Sequence, residues 1–272
     1  MRTAPFESAR ELGGISMSFK VRLAGGTKCS FKPEIHGQRQ RWQGEVAAWR
    51  VARLLGLDDD VPPSESRRVA RDDLFRVLES DERTAAARER LLRDVPWDDD
   101  GTAPGSVTFW IPDATSRALE RETAWKGWLA QSGTIDESER ALARQISRLL
   151  LFDFVIGNWD RMSGGGFLAT RDGARLFYID HNAAFYHPMP AEAHGRLDEH
   201  FRLVERFSRS LVARVRALDA ASIRRAVDED GGGLPILSDD QIADVLERRT
   251  HALETIDALV AAHGESAVLA FE

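Results

Sequence analysis

The chain contains one cysteine, Cys29, which excludes an intrachain disulfide framework and a multi-cysteine metal site and suits a reducing compartment. Long hydrophobic runs are also missing. The longest, Leu149 to Ile156, is interrupted by Asp153 and is too short to span a bilayer. No charged-then-apolar start reads as a signal peptide, so a cytoplasmic location and no membrane span are expected. Excess positive charge is absent too: the formal net charge of -7 speaks against a nucleic-acid partner, because neutralising phosphates takes a concentrated basic face. Arg67-Arg68 and Arg248-Arg249 lie beside acids in helix-like patterns and read as solvated faces. His181, His187, His194 and His200 include no H-E-x-x-H pair, which disfavours a metal hydrolase. A Ser-His-Asp hydrolase would need a G-x-S-x-G elbow, and the chain has none.

What is there suits a full hydrophobic core: 272 residues, 43% hydrophobic and 30% charged. Residues 15 to 33 alternate around Gly25-Gly26 and predict a β-hairpin that delivers Lys32 at its end. Residues 43 to 55 place Ala47, Val51, Leu54 and Leu55 on one helical face, with Gly56 as C-cap and Glu45 in the first turn. Residues 71 to 94 read as charged and helical, followed by a loop from Trp97 to Gly105 and a short strand from Ser106 to Pro112. The stretch 71 to 105 is the best candidate for an insertion. Composition then turns from β-rich to α-rich near residue 112, giving two lobes, 1–112 and 113–272, of an α+β fold.

In the second half, Thr134 and Glu137 have the form of a capping box opening a helix through Leu150. That helix feeds Gly157-Asn158-Trp159-Asp160-Arg161. A glycine run, Gly164 to Gly166, leads to a second hairpin that ends at Asp180. Phe201, Val204, Phe207, Leu211, Val215 and Leu218 form one helical stripe, and Ser238 with Gln241 caps a last helix. Residues 186 to 200, with Pro188 and Pro190, follow Asp180 as a candidate substrate-side loop.

Phosphoryl transfer asks for a cation at the phosphates, a carboxylate holding a metal ion and a carboxylate positioning the attacking hydroxyl. Lys32, Glu45, Asp160 and Asp180 can supply these. Taken singly, each has a plainer reading as a surface lysine, a first-turn acid favoured by the helix dipole, a cap and an Asx turn. Their order, in a β-rich half followed by an α-rich half, is what favours the chemical reading.

Phe31-Lys32-Pro33, Gly44-Glu45-Val46-Ala47-Ala48-Trp49 through Leu55 and Val61-Pro62-Pro63 resemble the N-lobe of the secretory-pathway casein kinase and four-jointed family of atypical kinases. Leu151 through Arg161, with Phe177-Tyr178-Ile179-Asp180, is similar to that family's catalytic segment and more distantly to HipA-like and phosphatidylinositol-kinase-like folds. The resemblance implies a bilobal kinase-like fold, ATP with Mg²⁺ or Mn²⁺, and a nucleotide site of Gly25, Gly26, Lys32, Glu45, Phe109 and Trp110. It further implies Asp160 as catalytic base, and Asp180, with Asn182 as a candidate helper, as metal ligands. The chain departs from the family where Met162-Ser163-Gly164-Gly165-Gly166 replaces a His, Asn or Glu after Asp-Arg, and in lacking the family's disulfide cysteines, as a cytosolic, bacterial-type homologue would. The expected function is transfer of the ATP γ-phosphate to a hydroxyl acceptor, on protein Ser/Thr or a sugar-like molecule. A nucleotide-binding pseudokinase or scaffold and a nucleotidyl transferase are the alternatives.

Overall fold

In this computed structural model, residues 1–13, 16–38, 40–78, 82–163, 166–228 and 234–272 are described. The first strands are β1 (Phe6–Glu11), β2 (Phe19–Leu23) and β3 (Lys28–Pro33), followed by helix α1 (Gln40–Leu54) and strand β4 (Ser64–Ala70). Helices α2 (Arg71–Val77) and α3 (Glu82–Asp94) then precede β5 (Thr102–Phe109). These five strands form one antiparallel sheet in the order β1-β2-β3-β5-β4. One core gathers Phe19, Val21, Cys29 and Phe31 of the sheet with Leu74, Leu78, Ala87 and Leu91. The charged stretch 71–105 thus contributes both a strand and core side chains.

After β6 (Thr115–Ser116) come α4 (Ala124–Leu129) and α5 (Glu137–Ile156), then β7 (Phe167–Ala169) and β8 (Leu176–Tyr178), which form a three-strand sheet with β6. The remainder is helical: α6 (Ala191–Phe201), α7 (Arg209–Ala217), α8 (Ala220–Asp228), α9 (Asp239–His263) and α10 (Glu265–Val268). A second core is built around α5 and includes Ile146, Leu150, Phe152 and Ile156. Trp42, Val46, Ala47 and Val51 of α1 belong to this second core, so α1, which also lies against β4 and β5, joins the sheet to the helical part of the chain. Among the described residues no helix is long and apolar enough to cross a membrane.

Several local expectations are corrected. Helix α1 begins at Gln40, three residues before the apolar periodicity, so Glu45 lies in its second turn. Its first turn carries polar side chains that bond outward, which hides it from a periodicity reading: Gln43 Nε2 donates to the Pro235 carbonyl at 2.6 Å and Arg41 to Ser16. Strand β5 starts at Thr102 instead of Ser106, and it includes Pro104 and Gly105. A Cβ on Gly105 would lie 2.5 Å from the Lys32 carbonyl oxygen, so a residue that reads as a loop former is there because the strands approach closely.

The charged stretch 71–94 holds helices α2 and α3. Helix α5 starts at Glu137 with Asp136 before it and no side-chain cap, so the Thr134 capping box is not formed. The Ser238–Gln241 box is formed, with both reciprocal bonds. The stripe from Phe201 to Leu218 is buried but spans the end of α6, a turn and α7. Residues 191–200 of the expected loop are helix α6. Ile15 of the first hairpin and Gly164-Gly165 of the glycine run lie outside the described residues.

Candidate functional site

Strand β3 runs from the Gly25-Gly26 turn toward α1, and its alternation turns Lys32 away from Phe31 and the sheet core. Lys32 Nζ donates to Glu45 Oε1 at 2.5 Å and to Asp180 Oδ1 at 2.6 Å, joining a strand, a helix and the segment after β8 at one ammonium. The three side chains differ in openness. Lys32 and Glu45 keep 15% and 4% of their side-chain surface, whereas Asp180 keeps 44% and offers its carboxylate to the solvent side. Asp180 itself sits at φ 61°, a left-handed conformation that Asp tolerates better than most residues.

Burial works against the charge on Lys32, but Glu45 and Asp180 outweigh it and hold the ammonium above its ordinary pKa. For Glu45, burial likewise opposes ionisation. The Lys32 charge, aided by His181, overcomes this and holds the carboxyl far below the usual range. His181 Nδ1 faces Glu45 Oε2 at 3.8 Å, and burial pushes the imidazole below its ordinary value, so it is neutral at pH 7. No periodicity or motif signalled His181, which is fully enclosed and packs edge-on against Phe152. The approach of α1 to this segment depends on Gly44: a Cβ there would meet the His181 carbonyl oxygen at 2.5 Å.

Lys32, Glu45 and Asp180 line a cavity of about 250 Å³ together with Phe109, Trp110, Ile111, Leu168 and Ile179. Charge at one side and aromatic and aliphatic surface at the other suit a ligand with both characters. A larger cleft of about 590 Å³ between Arg117 and Thr170 holds no comparable cluster, and its Arg117 is paired with Glu122. Leu12 and Ser18 also line the smaller cavity. They flank a loop between β1 and β2 that the sequence reading passed over, although Gly13-Gly14 was a signal for it.

The sequence-predicted residues divide accordingly. Lys32, Glu45, Phe109, Trp110 and Asp180 converge on the cavity. Gly25 and Gly26 are not in its lining. They shape the β2–β3 turn at φ 91° and 85°, at the other end of β3 from Lys32. Asn182 lies beside the cluster and donates from Nδ2 to Ser16 Oγ at 3.1 Å.

Asp160 is outside the cavity lining, on the loop after α5, and its carboxylate makes no hydrogen bond or ion pair among the described residues. Its neighbour holds that loop in place. Buried Arg161 pairs with Asp153 through Nε to Oδ2 at 2.6 Å and Nη2 to Oδ1 at 2.9 Å. The same guanidinium donates to the carbonyls of Gly166 and Ile179, the latter adjacent to Asp180. Asn158 Nδ2 adds a third bond to Asp153 at 3.0 Å. A bidentate pair of this kind fixes orientation as well as distance. The Asp160 loop and the Asp180 segment are therefore tied by one side chain.

Superposition on solved structures shows what this arrangement is like. The Golgi casein kinase, crystallised with Mn and ADP bound, aligns with a TM-score of 0.73 over 98% of this chain and 76% of that one, at 14% identity. Hydra Fam20, crystallised with sugar, aligns with a TM-score of 0.74 over 98% and 89%, at 16% identity. The fold is that of these kinases.

In sequence, the chain is 25% identical over 209 residues to human Four-jointed box protein 1, covering 66% of this chain and 44% of that protein. The mouse protein of the same name gives 25% over 202 residues, covering 64% and 41%. The chain thus spans less than half the length of the curated relatives it matches. No family model matches the chain. Sequence and fold point the same way, to a likeness with the Golgi casein kinase and four-jointed proteins.

Proposed function

We propose that this chain is an ATP-dependent kinase that transfers the γ-phosphoryl group, with Mg²⁺ or Mn²⁺, to a hydroxyl acceptor on a protein or a sugar-like molecule. The observation that carries this reading is the Lys32 ammonium held between Glu45 and Asp180 on the floor of a cavity with aromatic walls. Lys32 binds non-bridging phosphate oxygens, and Glu45 orients it. Phe109 and Trp110 cover the base. Asp160 positions the acceptor hydroxyl and takes its proton as the acceptor oxygen bonds to the γ-phosphorus and the bond to the β–γ bridging oxygen breaks, leaving ADP.

The donor set fits a hard divalent ion. Asp180 and Glu45 present carboxylate oxygens, and among the described residues no three acidic or histidine side chains form a closed cage. Mg²⁺ typically binds through one or two carboxylates plus phosphate oxygens, which is what this site offers. When bound, the ion would neutralise charge on the transferring phosphates.

The test is incubation of the purified chain with ATP, Mg²⁺ or Mn²⁺ and candidate protein and sugar acceptors, with mass spectrometry of the products and an Asp160→Asn control. A gain of one phosphate that the control lacks supports the kinase reading. A gain of AMP replaces it with nucleotidyl transfer, and nucleotide binding without turnover replaces it with a non-catalytic nucleotide-binding protein.

A further inference from the structure

Each of the three segments around the Lys32 cluster carries a second polar residue that the reading above leaves unused, and these three meet. Arg41 precedes Glu45 by four residues on α1, so the two share a helix face. Asn182 follows Asp180 by two residues. Ser16 belongs to the loop whose flanks, Leu12 and Ser18, line the cavity. Ser16 Oγ accepts from Arg41 Nη1 at 3.0 Å and from Asn182 Nδ2 at 3.1 Å. None of the three lines the cavity itself, whereas their chain neighbours Ser18, Glu45 and Asp180 do.

Charge accounting singles out Arg41. The charge of Lys32 is already shared by two carboxylates at 2.5 and 2.6 Å. Arg41 has no carboxylate partner among the described residues. Its one side-chain bond among the described residues is to a neutral hydroxyl, and its Nε is buried without a partner. A guanidinium presents five donors, of which that bond uses one. A half-buried cation without an anionic partner, next to residues that line a cavity, suits an anionic ligand, and a planar fork of donors matches a terminal phosphate.

We propose that Arg41 is the terminal-phosphate clamp of this site, with Ser16 and Asn182 holding its guanidinium in position, so that the pocket discriminates nucleoside triphosphate from diphosphate. This inference rests on the nucleotide-site reading above and deepens it. Lys32 serves both ligands, whereas Arg41 serves the γ-phosphoryl group that only the triphosphate has.

Calorimetric titration with Mn²⁺ and either a non-hydrolysable ATP analogue or ADP separates the possibilities. Arg41→Gln should weaken the triphosphate analogue by about tenfold or more, the usual worth of a charge-assisted bond, and leave ADP within about twofold. Arg41→Lys, which keeps the charge without the fork, should lose part of that preference, and it serves as the test should the Gln variant melt before 25 °C. Equal weakening of both ligands, or of neither, overturns the Arg41 assignment while leaving the nucleotide site standing. Wild-type protein that binds neither ligand overturns the nucleotide-site reading, and the Arg41 assignment with it.

Discussion

At the scale of single residues, Lys32 carries the heaviest electrostatic demand, because Glu45 is enclosed to 4% exposure and relies on it. Removing one partner of a buried pair leaves the other charge stranded. Lys32→Met should therefore lose roughly 3 kcal/mol of stability at pH 7, read as a lower urea midpoint, in addition to losing nucleotide binding. An unchanged midpoint would show that the pair is not enclosed as described. The pair's own pH response is flat across the working range. Glu45, lowered from 4.5, and Lys32, raised from 10.5, both contribute fully between those ordinary values.

His200 behaves differently. Burial pushes it below its ordinary value of 6.5, against the pull of Glu199 and Asp153. Between that lowered value and 6.5 it is neutral when folded and takes up a proton on unfolding. Its contribution is complete above about pH 6.5 and is lost as the pH falls through the lower folded value. His200→Leu should flatten the fall in urea midpoint between about pH 6.5 and 5, and a slope equal to that of the wild type would contradict this.

At the scale of elements, glycines fix how closely the pieces of the site approach. A Cβ at Gly44 would stand 2.5 Å from a backbone oxygen of the Asp180 segment, and one at Gly105 would stand 2.5 Å from the Lys32 carbonyl. Backbone atoms give way less readily than side-chain tips, so either Ala substitution should cost about 2 kcal/mol and also weaken nucleotide binding. Gly195→Ala, at an exposed position of α6 with nothing within 4 Å of the added methyl, should instead stabilise by about 0.5 to 1 kcal/mol. Thermal melts of the three variants check both signs. Loss of stability at Gly195, or none at Gly44, would overturn the packing described.

Legibility from sequence also varied by element. Lys32, Glu45 and Asp180 could be read because they end or enter elements with clear alternation or periodicity. Strand β4, with the sequence Ser-Glu-Ser-Arg-Arg-Val-Ala, is an edge strand whose residues are mostly partly exposed, so no alternation announced it. The start of α1 and the Ser16 loop were hidden for the opposite reason. Their polar residues face partners from distant parts of the chain, and such bonds leave no local pattern.

At the scale of the whole molecule, the two hydrophobic cores are not divided where the composition changes. Helix α1 lies between β3 and β4 in sequence, yet Trp42, Val46 and Val51 pack in the core of α5, and Gln43 bonds to Pro235. Glu45 is thereby carried on the helical body, while Lys32 arrives on the sheet. Arg161 joins the Asp160 loop to the Asp180 segment in that same body. Amide exchange should consequently protect α1 to the degree of α5. Exchange of α1 at the rate of β1 and β2 would contradict its membership of the helical core.

The α+β architecture and the order of the acidic residues were visible in the sequence, because both follow from composition and motif order. The assignment of α1 to the helical core was not, since an apolar helix face does not name what it packs against.

Binding of ATP in the presence of Mn²⁺, measured by calorimetry on the wild-type chain and on Asp180→Ala, tests the Lys32–Glu45–Asp180 site most directly. The expected result is saturable binding by the wild type and a loss of about tenfold or more in the variant, with the melting temperature largely kept because Asp180 is the open member of the cluster. Equal affinity in the two proteins, or no binding by the wild type, would contradict it.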